Sequence, residues 1–339
     1  VTTILITGGA GFIGSNLVRY ILDSTPWSVV VLDALTYAGN LQNLVGLEAT
    51  GRLSFVHGSI NDEARVASVL QSFKPDAIIN CAAETHVDRS IASALPFVET
   101  NVCGTTTLLG QVRSYGAVKV VQVSTDEVYG SLAISDRPFT ASHPLRPSSA
   151  YAASKAAADL MVLADVHTHG TNAVITRCTN NYGPFQFPEK LVPLMTLNAI
   201  EGRHLPVYGN GSNVRDWIHV LDHCRGLLAA LDHGTRGAVY AFGGQCEHTN
   251  LDVVHRIVNL LGADPALIEF VRDRPGHDLR YAVDNAEATS QLGWSPRVGF
   301  DDGLAQTVEW YKQNLDWAAA IRDGSYRRYY QEHYGRSLH

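Results

Sequence analysis

The sequence predicts an α/β protein: a doubly wound parallel sheet followed by a smaller C-terminal α/β lobe. Three observations predict it. Short β-rich runs alternate with amphipathic helical stretches through the first half of the chain. Those runs are apolar throughout, as strands covered on both faces are. A glycine-rich turn joins the first run to the first helix.

The predicted strands, in order, are residues 2–8, 27–33, 53–58, 76–80, 118–124 and 172–177. Amphipathic stretches at 62–73 and 99–114 supply crossover helices between them. After about residue 178 the pattern becomes irregular, beginning with NNYGPFQFPEK, rich in Asn, Pro and aromatic residues. Helices are expected near 188–201, 220–232, 250–262 and 300–315, with a short strand near 206–208. The expected division is a cofactor domain over 1–178 and a substrate lobe over 179–330. Some later segments are expected to return to the first domain.

The 339 residues are 45% hydrophobic and 17% charged, with a formal charge of −7, which fits a globular chain without a nucleic-acid or membrane surface. The 5 cysteines are scattered without a CxxC pair, so neither a disulfide framework nor a zinc site is expected. His167 and His169 stand two apart on a helical stretch and do not share a face. No apolar run reaches the length of a membrane span. The first residues read as a strand rather than an export signal, and the expected location is cytoplasmic.

GGAGFIG follows the first strand, with Gly8, Gly11 and Gly14 spaced GxxGxxG. Such glycines permit a tight turn and close backbone approach to a pyrophosphate, which the helix N-terminus then receives. Asp33 ends the second strand about 20 residues on, where a carboxylate accepts both ribose hydroxyls and repels a 2′-phosphate. The expected cofactor is NAD rather than NADP.

VSTDEVYG (123–130) places a hydroxyl and two acids at the end of an apolar strand. Strand side chains alternate faces, so Asp126 and Glu127 reach one pocket only if the strand ends there. Tyr151 and Lys155 form YAASK, and positions i and i+4 share a helix face. A phenol titrates near ~10, so an ammonium and a positive nicotinamide are needed to make it a base at neutral pH.

Together GGAGFIG, Asp33, STDEVYG and YAASK resemble the extended short-chain dehydrogenase/reductases, whose sheet is Rossmann-like. LTYAGN, AAETHVDRSI, NNYGPFQFPEKLVPL, RDWIHVLDH and RDRPGHDLRYAVD are more specific and resemble the dTDP-glucose 4,6-dehydratases over nearly the whole chain. The resemblance implies that Tyr151, supported by Lys155 and with Thr125 near the reacting hydroxyl, opens oxidation at sugar C4. It gives Glu127 the C5 proton and Asp126 the departing C6 hydroxyl. It places Phe12, Ile13, Asp33, Ala34, Leu35, Thr36, Ala82, Ala83, Glu84, Thr85, Thr100, Lys155 and Asn181 around NAD. Ser59 and Ile60 join that set, although relatives carry Asp-Ile where this chain has GSIND. Around the nucleotide-sugar, dTDP-glucose, it places Thr85, Thr125, Asn180, Lys190, Leu191, Pro206, Tyr208, Arg215, Asn250, Arg274 and His277. His86 and Arg89 are expected as structural partners of the acidic turn.

The same resemblance implies a homodimer joined through helices near 92–113 and 150–169. The alternatives are a nucleotide-sugar 4-epimerase, a dehydratase of another nucleotide-sugar, and an NAD-sensing protein without turnover. An epimerase has no use for an acid–base pair aimed at C5 and C6. A sensor typically loses the Tyr or Lys that this chain keeps.

Overall fold

The computed structural model describes residues 2–116, 118–273 and 276–322. In the first half β1 (Thr3–Thr7), α1 (Phe12–Ser24), β2 (Ser28–Asp33), β3 (Leu53–His57), α2 (Glu63–Phe73) and β4 (Ala77–Asn80) follow one another. Next come α3 (Val87–Ala92), a short α4 (Leu95–Phe97) and α5 (Thr105–Tyr115). Then β5 (Lys119–Thr125), α6 (Ala150–His169) and β6 (Ala173–Cys178) complete the run. The six expected strands are all present. The stretch expected as a helix from 99 instead begins with π-helical backbone over Val98–Gly104.

Beyond Cys178 lie β7 (Asn180–Tyr182), α7 (Leu191–Ile200), β8 (Leu205–Tyr208), β9 (Val214–His219), α8 (Val220–His233) and β10 (Val239–Phe242). They are followed by β11 (Glu247–Thr249), α9 (Asn250–Leu261), β12 (Ile268–Val271), β13 (Arg280–Tyr281), α10 (Ala286–Leu292), α11 (Phe300–Gln313) and α12 (Leu315–Arg322).

The main sheet has seven strands in the order β10-β6-β5-β4-β1-β2-β3, and each pair is parallel. The seventh strand, β10, returns from the second half of the chain.

Alternate residues of each central strand enter opposite cores. Ile4, Ile6, Val29, Val31 and Ile79 pack with Leu17 and Ile21 of α1 and Leu227 of α8. Leu5, Val30, Leu32 and Ile78 pack with Val66 and Leu70 of α2 and Leu108 of α5. This two-sided burial is why the strands read as unbroken apolar runs.

The lobe has its own core, in which Val192 and Met195 of α7, Trp217 of β9, Val253 and Ile257 of α9, and Leu304 of α11 meet. Around β9 lie β11, β13 and β7, while β12 pairs with β8. The strand ends of the main sheet and the lobe strands border one cleft of about 550 Å³.

Candidate active site

The glycine turn shapes one end of the cleft. Gly8 has φ +67°, and a Cβ there would sit 2.7 Å from the Ala82 amide nitrogen. A Cβ on Gly14 would stand 2.2 Å from the Gly8 carbonyl oxygen. Gly11 caps α1 with extended backbone and no side-chain hydrogen bond, which leaves the first-turn N–H groups to a ligand.

Asp33 closes β2 beside this turn. The Ala10 amide donates to its Oδ2 at 2.9 Å and the Leu35 amide to its Oδ1 at 2.8 Å. Burial pushes its carboxyl up, and these two amides and His57 pull it back. A narrow backbone cradle, an open helix N-terminus and a carboxylate held in place fit a dinucleotide such as NAD.

Of the residues expected around the cofactor, Gly8, Gly11, Phe12, Ile13, Gly14, Asp33, Ala34, Thr36, Ser59, Ile60, Ala82, Ala83, Thr85, Thr100, Tyr151, Lys155 and Asn181 line the cleft. Leu35 and Glu84 do not. Leu35 turns with φ +50° into the core below the sheet, where it is 3% exposed. The Glu84 backbone is fixed to Asn101, its amide donating to Oδ1 at 2.9 Å and its carbonyl accepting from Nδ2 at 3.0 Å.

Strand β5 ends at Thr125, and Asp126–Tyr129 form a 3-10 turn. Thr125 caps it, its hydroxyl accepting from the Glu127 amide at 3.3 Å. The turn brings both acids to the cleft. Their surroundings differ. Asp126 is 2% exposed, and its Oδ2 is buried without a hydrogen bond. Burial, then the neighbouring Glu127 and Asp216, hold its carboxyl well above the usual range, which favours its protonated form. Glu127 is only partly buried. Asp216 of β9 is itself pushed up to about 6 by burial.

Ser149 caps α6 through its side chain, and the helix then carries Tyr151 and Lys155 into the same cleft. Burial, with Glu127 and Cys178 nearby, holds the phenol well above its ordinary value, opposed by a hydrogen bond from Thr125. Lys155 donates to the Val123 carbonyl at 2.6 Å. Burial lowers its ammonium while Asp159, one turn further along, supports the charge.

The lobe completes the cleft with Asn180, Lys190, Leu191, Pro206, Tyr208, Arg215, Asn250 and His277, facing Thr85 and Thr125. Arg274 lies outside the described residues. Arg215 is 4% exposed rather than a surface cation. Its Nη2 donates to the Asp278 carbonyl at 2.9 Å, and its guanidinium lies 4.4 Å from the Tyr281 ring centre.

Several contacts join the two sides. Lys190 Nζ donates to the Thr85 carbonyl at 3.3 Å, and the Tyr208 hydroxyl to Asp88 Oδ2 at 3.3 Å. His86 and Arg89 pair with Glu189, at 3.2 and 3.9 Å, and not with the acidic turn as expected. They lie on the segment after β4 and across from the residues leading into α7, so Glu189 is the acid within reach. Sequence reasoning did not single out Tyr37, which lines the cleft, bonds Thr85 Oγ1 at 3.2 Å and lies under Arg89 at 4.1 Å. Its signal was the LTYAGN motif that contains it. Cys178 and Thr179 also line the cleft and carried no signal of their own.

A dinucleotide cradle and a Tyr–Lys helix on this sheet define an extended short-chain dehydrogenase/reductase. The family model described as GDP-mannose 4,6 dehydratase matches residues 5–307. A dTDP-glucose 4,6-dehydratase of Streptomyces niveus is 50% identical, the alignment covering 93% of this chain and 94% of that one. The crystal structure of DesIV, a dTDP-glucose 4,6-dehydratase from Streptomyces venezuelae with NAD and TYD bound, superposes with a TM-score of 0.91 at 50% identity. It covers 94% of this chain and 100% of that one. A UDP-glucose 4-epimerase from Thermotoga maritima with UDP-glucose also superposes, with a TM-score of 0.86 at 28% identity over 93% of this chain and 100% of that one. The chain belongs to the dTDP-glucose 4,6-dehydratase family.

Proposed function

We propose that the protein converts dTDP-D-glucose to dTDP-4-keto-6-deoxy-D-glucose and water. NAD, held by the glycine turn beside Asp33, would supply a hydride acceptor for C4 and a hydride donor for C6, so the conversion would involve no net oxidation. Tyr151 accepts the C4 hydroxyl proton, with Thr125 orienting that hydroxyl and Lys155 supplying positive charge. The resulting ketone acidifies the C5 proton. Glu127 removes it, Asp126 donates its own proton to the C6 hydroxyl, which leaves as water, and a proton returns to C5 as C6 is reduced. Lys190, Arg215 and Asn250 hold the nucleotide diphosphate, where a guanidinium fork matches phosphate oxygens.

One observation carries this reading over an epimerase: a single turn presents two adjacent carboxyls in unlike surroundings. A buried Asp126, its carboxyl pushed up by burial and its acidic neighbours, suits the acid, and the less buried Glu127 beside it suits the base. An exchange of hydride at C4 alone needs neither.

The test is to incubate purified protein with dTDP-glucose, without added NAD, and follow the sugar by NMR. The expected product is the 4-keto-6-deoxy sugar. Formation of dTDP-galactose would instead assign an epimerase.

The protein acts as a homodimer in the cytoplasm. Support for the dimer comes from the apolar side chains left at the surface of α3, α4, the π-helical segment and α6. Ile91 is 48% exposed, Leu95 62%, Val98 42%, Leu160 55% and Met161 39%. On the Ala-rich run of α6, Ala152, Ala156 and Ala158 are buried within the subunit, whereas Ala153 is exposed and Ala157 half-buried, at helical spacing from Leu160 and Met161. Light scattering should give twice the chain mass, and Leu95→Lys with Met161→Lys should halve it. No helix among the described residues is long and apolar enough to cross a membrane.

A further inference from the structure

We infer that Arg177 is a positioning residue that holds the turn bearing Asp126 and Glu127 in register with the helix bearing Tyr151 and Lys155. The inference rests on the reaction proposed above.

Arg177 lies on β6, paired in register with Ser124 of β5, one residue before Thr125. It is 3% exposed. Its guanidinium donates in three directions. Nε donates to Asp159 Oδ2 at 2.9 Å. Nη1 donates to the Tyr129 hydroxyl at 2.8 Å and to the Ala141 carbonyl at 3.2 Å. The guanidinium carbon also stands 4.9 Å from the Tyr129 ring centre.

The partners give these contacts their meaning. Asp159 lies four residues beyond Lys155 and eight beyond Tyr151 on α6, a spacing that keeps all three along one helix face. Tyr129 is the last residue of the 3-10 turn that Asp126 begins. One rigid, planar side chain therefore ties the oxidising helix to the eliminating turn from behind. A lysine has one flexible ammonium and cannot reproduce the fork.

The reaction needs such a tie. Oxidation occurs at C4 and elimination at C5 and C6 of one bound sugar, so the two sets of groups must fit it together. A misplacement of about 1 Å can cost ~10²-fold in rate. Stability alone gives little reason for a buried Arg–Asp pair, since apolar residues of similar volume often serve as well or better. Registration of two catalytic segments gives one.

A displaced turn has a specific chemical consequence. Tyr151 and Lys155 still form the 4-ketone, but Glu127 and Asp126 meet C5 and C6 poorly. The ketone, still carrying its C6 hydroxyl, then escapes before water is lost and leaves its C4 hydride behind on the cofactor, so each escape reduces one NAD to NADH and stops that site until NAD is renewed.

The test compares Arg177→Lys and Tyr129→Phe with the unaltered protein as purified. Each is given dTDP-glucose, and the products are separated and read by NMR. Arg177→Lys should lower kcat about 10- to 100-fold with KM within about threefold. It should also release dTDP-4-ketoglucose that retains its C6 hydroxyl, which the unaltered protein does not. Tyr129→Phe, which removes one of the guanidinium contacts, should show the same leak at a smaller fraction. The inference is overturned if both variants make only the dehydrated product, whether at full or reduced rate. If Arg177→Lys does not fold, Tyr129→Phe decides alone. Failure of the unaltered protein to consume dTDP-glucose would overturn the proposed reaction instead.

Discussion

The two sides of the cleft are made of different material. The cofactor side is a shape cut in backbone: a glycine turn, a helix N-terminus and one carboxylate held by two amides. The proposed substrate side is a set of side chains on short strands and helix ends, gathered from residues between Thr85 and His277. The cofactor side should therefore fail when atoms are added. The substrate side should fail when particular functional groups are removed.

The largest effect is expected on the cofactor side. Gly14→Ala places a methyl 2.2 Å from the Gly8 carbonyl oxygen, with backbone on both sides of the clash. The variant should lose at least ~2 kcal/mol of stability in urea titration and should purify without bound nucleotide. A stable Gly14→Ala protein that keeps its cofactor would break the contrast.

Asp126→Asn should separate function from stability on the substrate side. Dehydration should fall about 10²- to 10⁴-fold, because the proposed general acid is gone. Stability at pH 7 should rise. Asp126 is held protonated in the fold but ionises near its ordinary value when unfolded, so its native form is penalised as pH rises above that value. Asparagine removes the penalty. Calorimetry at pH 7 reads the sign.

A smaller effect is expected at Arg215. Arg215→Lys keeps the charge but loses the planar fork, so KM for the nucleotide-sugar should rise about tenfold with little change in kcat. A fall in kcat at constant KM would place Arg215 with the reacting atoms instead.

The smallest test concerns the seam between the two sides. His223 Nδ1 donates to Asn181 Oδ1 at 3.0 Å, and His219 is the last residue of β9. Burial lowers His219 to about 4 and His223 to about 3. Both rings are neutral in the fold, whereas unfolded histidines take up protons near pH ~6.5. Their contribution is present above pH ~6.5 and is lost as pH falls from there towards their depressed values. Stability should decline over that window, and less steeply in a His223→Gln variant.

The same contrast explains what the sequence revealed. The glycine turn, Asp33 and the six strands of the first half were legible because each is a local pattern. Two-sided burial made the strands apolar throughout, and GxxGxxG lies within seven residues. The acidic turn was legible as a conflict, since two adjacent acids cannot share a pocket along a continuing strand. The lobe was less so. Strand β9 and strand β10 escaped notice, one in a small sheet whose neighbours come from far along the chain and one returning to the main sheet. Leu35 and Glu84 lie off the cleft: motifs mark segments and not the direction of each side chain. Arg177 was invisible: its meaning depends on Asp159 and Tyr129, which approach it only through tertiary packing.

The most direct test of the central claim is to trace one hydrogen. dTDP-glucose carrying deuterium at C4 is mixed with unlabelled substrate and converted by the purified protein. The account predicts deuterium at C6 of the 4-keto-6-deoxy product, moved within a single sugar, with no exchange between labelled and unlabelled molecules. Deuterium retained at C4 of a recovered hexose would contradict it and leave Asp126 and Glu127 without a reaction.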